Sequence, residues 1–223
     1  MKWIFKWLFR LFLLAAALVI VLLLSLNSIL RVFIEHQIRA QTGMDAEVGR
    51  FSLGLAEPTV TIQNLRLYNP PSFGGTPFLD IPEIHVEYDR AALARHEIHV
   101  TLLRFNLGEL DIVKNQAGQT NIFSLGLSLP SKKSVGNGAA KFKKQTGFDF
   151  KGIDVLNVSV GTAKYIDLQD QRRDRIKKIG IEDSVIKNVK SREDLAGLAL
   201  LVALRGGDFF SSLVDLKKPG AVF

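Results

Sequence analysis

Between Arg10 and Arg31 lie 20 consecutive residues without a charge, and Leu11 to Leu24 is wholly apolar. A helix of that length rises about 30 Å, the thickness of a bilayer's hydrocarbon core. Trp3 and Trp7 precede the run, where interfacial aromatic rings belong. Lys2, Lys6 and Arg10 follow an i, i+4 spacing in the same flank, and no acid occurs before Glu35. These features predict an uncleaved signal-anchor, a single transmembrane helix with its N-terminus in the cytoplasm and its domain on the far side. The rival reading is a cleaved signal peptide, whose apolar region usually runs about 7–15 residues to a small-residue site. Here Ala15-Ala16-Ala17 lies in the middle of the run instead.

Past the run, Leu30, Phe33, Ile34 and Ile38 keep a helical period, and Thr42-Gly43 is a plausible stop. Such a stripe either lies on the membrane surface or covers the domain; covering the domain is the commoner role. Residues 1–43 therefore read as an anchor helix with an amphipathic extension.

Strand signals follow. Val60 and Ile62 alternate with Thr59 and Thr61, then the apolar parity slips to Leu65 and Leu67, which predicts a bulge near Gln63-Asn64. Asn69-Pro70-Pro71 through Gly74-Gly75 marks a loop. Ile84, Val86 and Tyr88 alternate with polar residues, as do Ile98, Val100 and Leu102, with residues 91–96 as a short connection. Each set predicts one apolar face of a half-exposed antiparallel strand, and the two faces are expected to join. Leu110 and Ile112 continue toward a turn at Gln116-Ala117-Gly118. Residues 127–147 hold Ser, Lys and Gly without an acid and predict a flexible loop. That loop separates a first β-rich half, 44–126, from a second, 148–223. In the second half Val158 and Val160, then Ala163 and Tyr165 after Gly161, lead through a charged turn to Ile179 and Ile181. Residues 194–204 read as a short apolar helix, and Phe209 to Leu216 as a second helix or a frayed tail.

The chain carries no cysteine, which excludes disulfides, thiolate zinc sites and a cysteine nucleophile. Its net charge of +7 reflects the membrane flank and the lysines Lys132, Lys133, Lys141, Lys143 and Lys144. With no aromatic–basic platform, this charge does not point to nucleic acid. His96-Glu97-Ile98-His99 lacks the spacing of a zinc helix, and His85 and His99 read as solvent-facing strand residues. Glu109 and Asp111 share a strand face that reads as solvated. No nucleophile elbow, P-loop or dinucleotide fingerprint appears, so neither catalysis, a metal nor a cofactor is expected.

Three stretches carry a resemblance. Val60 to Phe73 leads into Phe78 to Tyr88; Ile98 leads through Leu110-Asp-Ile-Val to Gly118-Gln-Thr-Asn121; and Ile153 to Asp167 ends in Tyr165-Ile166-Asp167 before Ile179-Gly-Ile181. In that order, behind an anchor, they resemble the N-terminal module of AsmA-like proteins of the bacterial envelope over residues 5–205. The resemblance implies an α+β fold: an inner-membrane helix, then a β-rich domain with a curved antiparallel sheet and short covering helices. It implies a periplasmic domain with a role in lipid transport or outer-membrane biogenesis and no active site. Ile84, Val86, Tyr88, Ile98, Val100 and Leu102 become the expected lipid-contacting residues. Membrane lipids are the expected partners, with other envelope proteins or a second copy besides. The alternative is a non-catalytic assembly factor whose apolar face is filled by its own core. Eight to ten strands at about 4.8 Å would make a groove of about 40–50 Å, too short to join two membranes alone.

Overall fold

The computed structural model describes residues 27–40, 42–54, 56–124, 143–144, 146–191, 193–207 and 209. The flank residues Lys2, Trp3, Lys6, Trp7 and Arg10, most of the uncharged run, most of the 127–147 segment and the tail past Phe209 lie outside them. Among the described residues no helix is long and apolar enough to cross a membrane.

Residues 27–40 form helix α1. Six strands follow: β1 (Asp45–Leu53), β2 (Thr59–Tyr68), β3 (Pro77–Tyr88), β4 (Glu97–Lys114), β5 (Asp149–Asp167) and β6 (Arg175–Val189). They pair in chain order into one sheet, about 24 Å across at the usual strand spacing. Both expected halves of the domain contribute to it. Helix α2 (Arg90–Ala94) joins β3 to β4, α3 (Asn121–Ser124) follows β4, and α4 (Ala196–Gly206) follows β6. The class is α+β, as expected.

The expected all-antiparallel sheet is corrected at one place. β4 and β5 run parallel along nearly their whole length, from Glu97 opposite Asp149 to Lys114 opposite Asp167. The other four pairings are antiparallel. Alternation within a strand is the same for either direction, so direction is not written in the pattern.

The parity slip foreseen at Gln63-Asn64 recurs on every strand. Core residues flank it at Val48 and Phe51, Ile62 and Leu65, Ile81 and Ile84, Leu107 and Leu110, Val160 and Ala163, and Ile181 and Ile186. The bulge expected there is corrected: the β1–β2–β3 register runs through the row without an inserted residue, Gln63 facing Arg50 and Glu83 and Leu65 facing Val48 and Ile81. Asn64 absorbs the slip on β2 in the left-handed region at φ 53°, and Asp183 does so on β6 at 48°. Elsewhere the row is made of close backbone approaches. A Cβ at Gly49 would stand 2.8 Å from Asn64 Cβ, one at Gly108 3.1 Å from Pro82 Cγ, and one at Gly161 would collide with the Gly108 carbonyl oxygen. All six strands thus change faces together, and the same sheet side stays apolar on both sides of the row.

A polar knot closes one end of the sheet. Asn121 is fully buried. Its Oδ1 accepts from Val113 N at 3.1 Å and Ile122 N at 2.9 Å. Its Nδ2 donates to Asn69 Oδ1 at 2.8 Å and to the Asp111 carbonyl at 2.9 Å. Asn69 in turn donates to the Pro77 carbonyl at 3.1 Å. Asp167, 1% exposed, takes Lys114 Nζ at 3.1 Å and Gln169 N at 2.9 Å. The loops after β2, β4 and β5 are tied together with each of these buried groups partnered.

Candidate functional site

Two helices lie on the apolar sheet face. Leu30, Ile34 and Ile38 of α1 pack on Val48, Phe51, Leu65 and Ile81, so this stripe covers the domain. Polar residues beside the stripe dock α1 to the outer edge of β1. Glu35 Oε1 accepts from Val48 N at 2.8 Å, Arg31 Nη1 donates to the Gly49 carbonyl at 3.3 Å, and Asn27 Oδ1 accepts from Leu53 N at 3.1 Å. An edge strand's free backbone groups invite pairing with another chain, and side chains that occupy them blunt the edge. Arg31 also pairs with Glu35 at 3.2 Å. The opposite side of α1 carries Ile29, Val32 and Phe33, each more than half exposed, so Phe33 is not part of the docked stripe in which its spacing placed it.

Over β5 and β6, Leu198, Leu201 and Val202 of α4 pack on Ile112, Ala163, Ile179 and Ile181. Leu195 and Leu198 reach Leu156, Val158 and Val189. Asp194, expected near the helix start, accepts from Lys190 N and Ser191 N, both at 2.8 Å. The Lys190 contact leads in holding its carboxyl below the usual range.

Between the two helices runs a strip of half-buried apolar residues: Ile84 and Val86 on β3, and Leu103, Phe105 and Leu107 on β4. Ile84 faces Phe105, and Val86 faces Leu103. Phe105 packs against both the α1-side cluster and the Leu156–Val158 cluster.

The structure brings only part of the expected lipid-contacting set to this face. Ile84 and Val86 are there. Leu102 faces Glu87 on one side and Val155 on the other, so it points away from Val86 and Leu103. Val100 shares its parity, and a shift between Glu87 and Tyr88 places Tyr88 opposite Val100. Tyr88, Val100 and Leu102 therefore lie on the other face of the sheet. Ile98 faces Phe150 just before a second shift. The expected union of the two sets is corrected for this physical reason: the β3–β4 register sets Val86 opposite Leu103 rather than Leu102, and the irregularities at Glu87/Tyr88 and Ile98/His99 displace Tyr88 and Ile98 from the count. Leu103, Phe105 and Leu107 stand on the Ile84–Val86 face instead. The signal for them was the adjacent pair Leu102-Leu103, where alternation fails.

Polar candidates form structural pairs. His99 bridges Asp154 Oδ1 at 2.9 Å and Asp89 Oδ2 at 3.7 Å. Asp154 chiefly raises its pKa. Asp89 also caps α2, accepting from Ala91 N and Ala92 N. His85 stands between Thr61 Oγ1 at 2.8 Å and Glu87 Oε1 at 3.3 Å, and His96 stacks on Phe148. Among the described residues no three metal-ligating side chains gather into a group that could hold a cation. Glu109 pairs with Lys164 at 2.7 Å. Asp111 differs from the solvated residue expected: it is 5% exposed, and burial pushes its carboxyl up to about 6. Lys143 pairs with Asp149 at 2.7 Å.

Compared with family models, curated proteins and solved structures, the chain matches none.

Proposed function

We propose that this chain is a membrane-anchored, non-catalytic AsmA-like envelope protein that handles lipid acyl chains on the strip between α1 and α4. Its place is the bacterial inner membrane, N-terminus in the cytoplasm and domain in the periplasm, in phospholipid transport or outer-membrane biogenesis. One observation carries the reading. Ile84, Val86, Leu103, Phe105 and Leu107 keep part of their surface open on a face otherwise packed by two helices. The strip is apolar and follows two paired strands, the course an extended acyl chain would take. Burial of apolar surface there stabilises a bound chain by about 25 cal/mol per Å².

The test is photo-crosslinking from single positions in the full chain, expressed in a bacterial envelope. A crosslinker at Phe105 or Leu107 gives phospholipid adducts by mass spectrometry. One at Arg104, on the opposite face, gives none. Equal adducts from both faces, or none from Phe105 and Leu107, defeats the proposal.

A second reading is favoured by α4. Leu200 and Leu204, one turn apart, are 60% and 71% exposed. An assembly factor would use that outer row to bind another envelope protein. Protein rather than lipid adducts would select it.

A further inference from the structure

The anchored reading leaves open how the domain stands on its membrane, and the docking of α1 constrains that geometry. Three contacts in sequence, Glu35 to Val48, Arg31 to Gly49 and Asn27 to Leu53, lay the helix antiparallel along β1. The last residue of β1 is therefore level with Asn27. The uncharged run extends to Leu30, so the end of β1 at Leu53 is level with a residue inside that run. Helix α2 belongs to the same tip, because Arg90 Nη2 donates to the Ala56 carbonyl at 3.2 Å.

The outer side of α1 agrees. Ile29, Val32 and Phe33 stand opposite the docked stripe and are exposed, and the next outward positions are His36 and Arg39. The one charge in this stretch, Arg31, is turned to Glu35 and the Gly49 carbonyl. The helix thus stays apolar on its outer side for about 9 Å past Asn27, more than the roughly 5–7 Å of an interfacial layer. Leu93, 40% exposed on α2, adds an apolar residue to the tip.

We infer that the tip formed by the β1–β2 turn and α2 is seated in the interfacial layer of the bilayer, with the outward row Ile29, Val32 and Phe33 rising through that layer beside it. The open strip on β3 and β4 then starts at the lipid itself. An acyl chain passes onto Val86 and Leu103 without crossing water. The inference rests on the anchored reading and deepens it.

The chain has no native cysteine, so single cysteines report one position each. The full chain is reconstituted in vesicles of phosphatidylethanolamine and phosphatidylglycerol, with an environment-sensitive fluorophore on Phe33→Cys, Ala56→Cys, Leu93→Cys or Gln171→Cys. Doxyl-labelled phospholipid should quench the first three severalfold more than Gln171→Cys, at the far end of the sheet, and aqueous iodide should do the reverse. Quenching by doxyl lipid at Phe33→Cys, with Ala56→Cys and Leu93→Cys open only to iodide, overturns the seated tip and leaves the anchor standing. Doxyl quenching at none of them, with protein that fails to float with vesicles, removes the anchor and the inference together. Hydrogen exchange of the unmodified chain tests the same seating without substitutions: residues 56–58 and 90–94 slow in vesicles relative to 168–174, or the tip is not seated.

Discussion

Replacing Asp111 by Asn should stabilise the protein at alkaline pH and do nothing at acid pH. Asp111 is buried on β4, and its Oδ1 has no hydrogen-bond partner. Burial is the main reason its carboxyl is pushed up to about 6; the like charge of Glu109 adds to it and Lys164 opposes. A carboxyl whose folded pKa lies above its unfolded value holds its proton more tightly in the folded state. Folding is then favoured most below the unfolded pKa of about 4. That advantage is lost as pH rises from about 4 through about 6, and stays lost above. A difference of about two pKa units corresponds to at most about 3 kcal/mol. Water penetration reduces this to about 2 kcal/mol. For a chain of this size that is about 4–8 °C in melting temperature. The assay is circular-dichroism melting of wild type and Asp111→Asn in detergent across the pH range. The carboxamide matches the shape of the protonated acid, so the difference between the two curves isolates this group from every other titration. An increment equal at about pH 4.5 and about pH 8, or absent at about pH 8, refutes the buried, proton-hungry carboxyl.

Three further outcomes follow from the same structure. Gly161→Ala drives a methyl into the Gly108 carbonyl, and denaturant titration should find the variant less stable by about 1–3 kcal/mol. Asn121→Ala strands the Val113 and Ile122 amides and the Asn69 amide oxygen. A loss of about 2–4 kcal/mol is expected, with faster hydrogen exchange at Val113 as the local readout. His99, whose proton is held by Asp154 and Asp89, contributes stability that is full below its unfolded pKa and lost as pH rises through the raised folded value. His99→Gln should melt below wild type at about pH 5.5 and level with it at about pH 9.

The elements were legible where one residue's periodicity sufficed. Leu30, Ile34 and Ile38 of the expected stripe pack as their spacing predicts, whereas Phe33 faces outward, and the slip at Asn64 is taken up by a positive φ rather than by the expected bulge. What needed a second strand was hidden. Nothing in residues 149–167 announces that β5 lies parallel to β4. The faces of Tyr88, Val100 and Leu102 depend on a register that only the neighbouring strand reveals. Asn69 and Asn121 read as ordinary turn residues because the partner that buries each lies 52 positions away. Asp111 alternates like a solvated residue, and only the packing of its face removes water from it.

The parallel pairing of β4 with β5 also governs the order in which this sheet can assemble. Every other ladder joins strands adjacent in sequence through a short connection, whereas Leu103 meets Leu156 and Phe105 meets Val158. Closing loops of roughly 50 residues costs more entropy than closing the neighbouring hairpins, and long-range pairing is slow. A four-stranded meander and a two-stranded hairpin therefore form as separate pieces, and the last step is their zippering along β4. That joint has no side chains at its middle, where Gly108 meets Gly161. Partial unfolding would retrace it first, parting the sheet into the same two pieces.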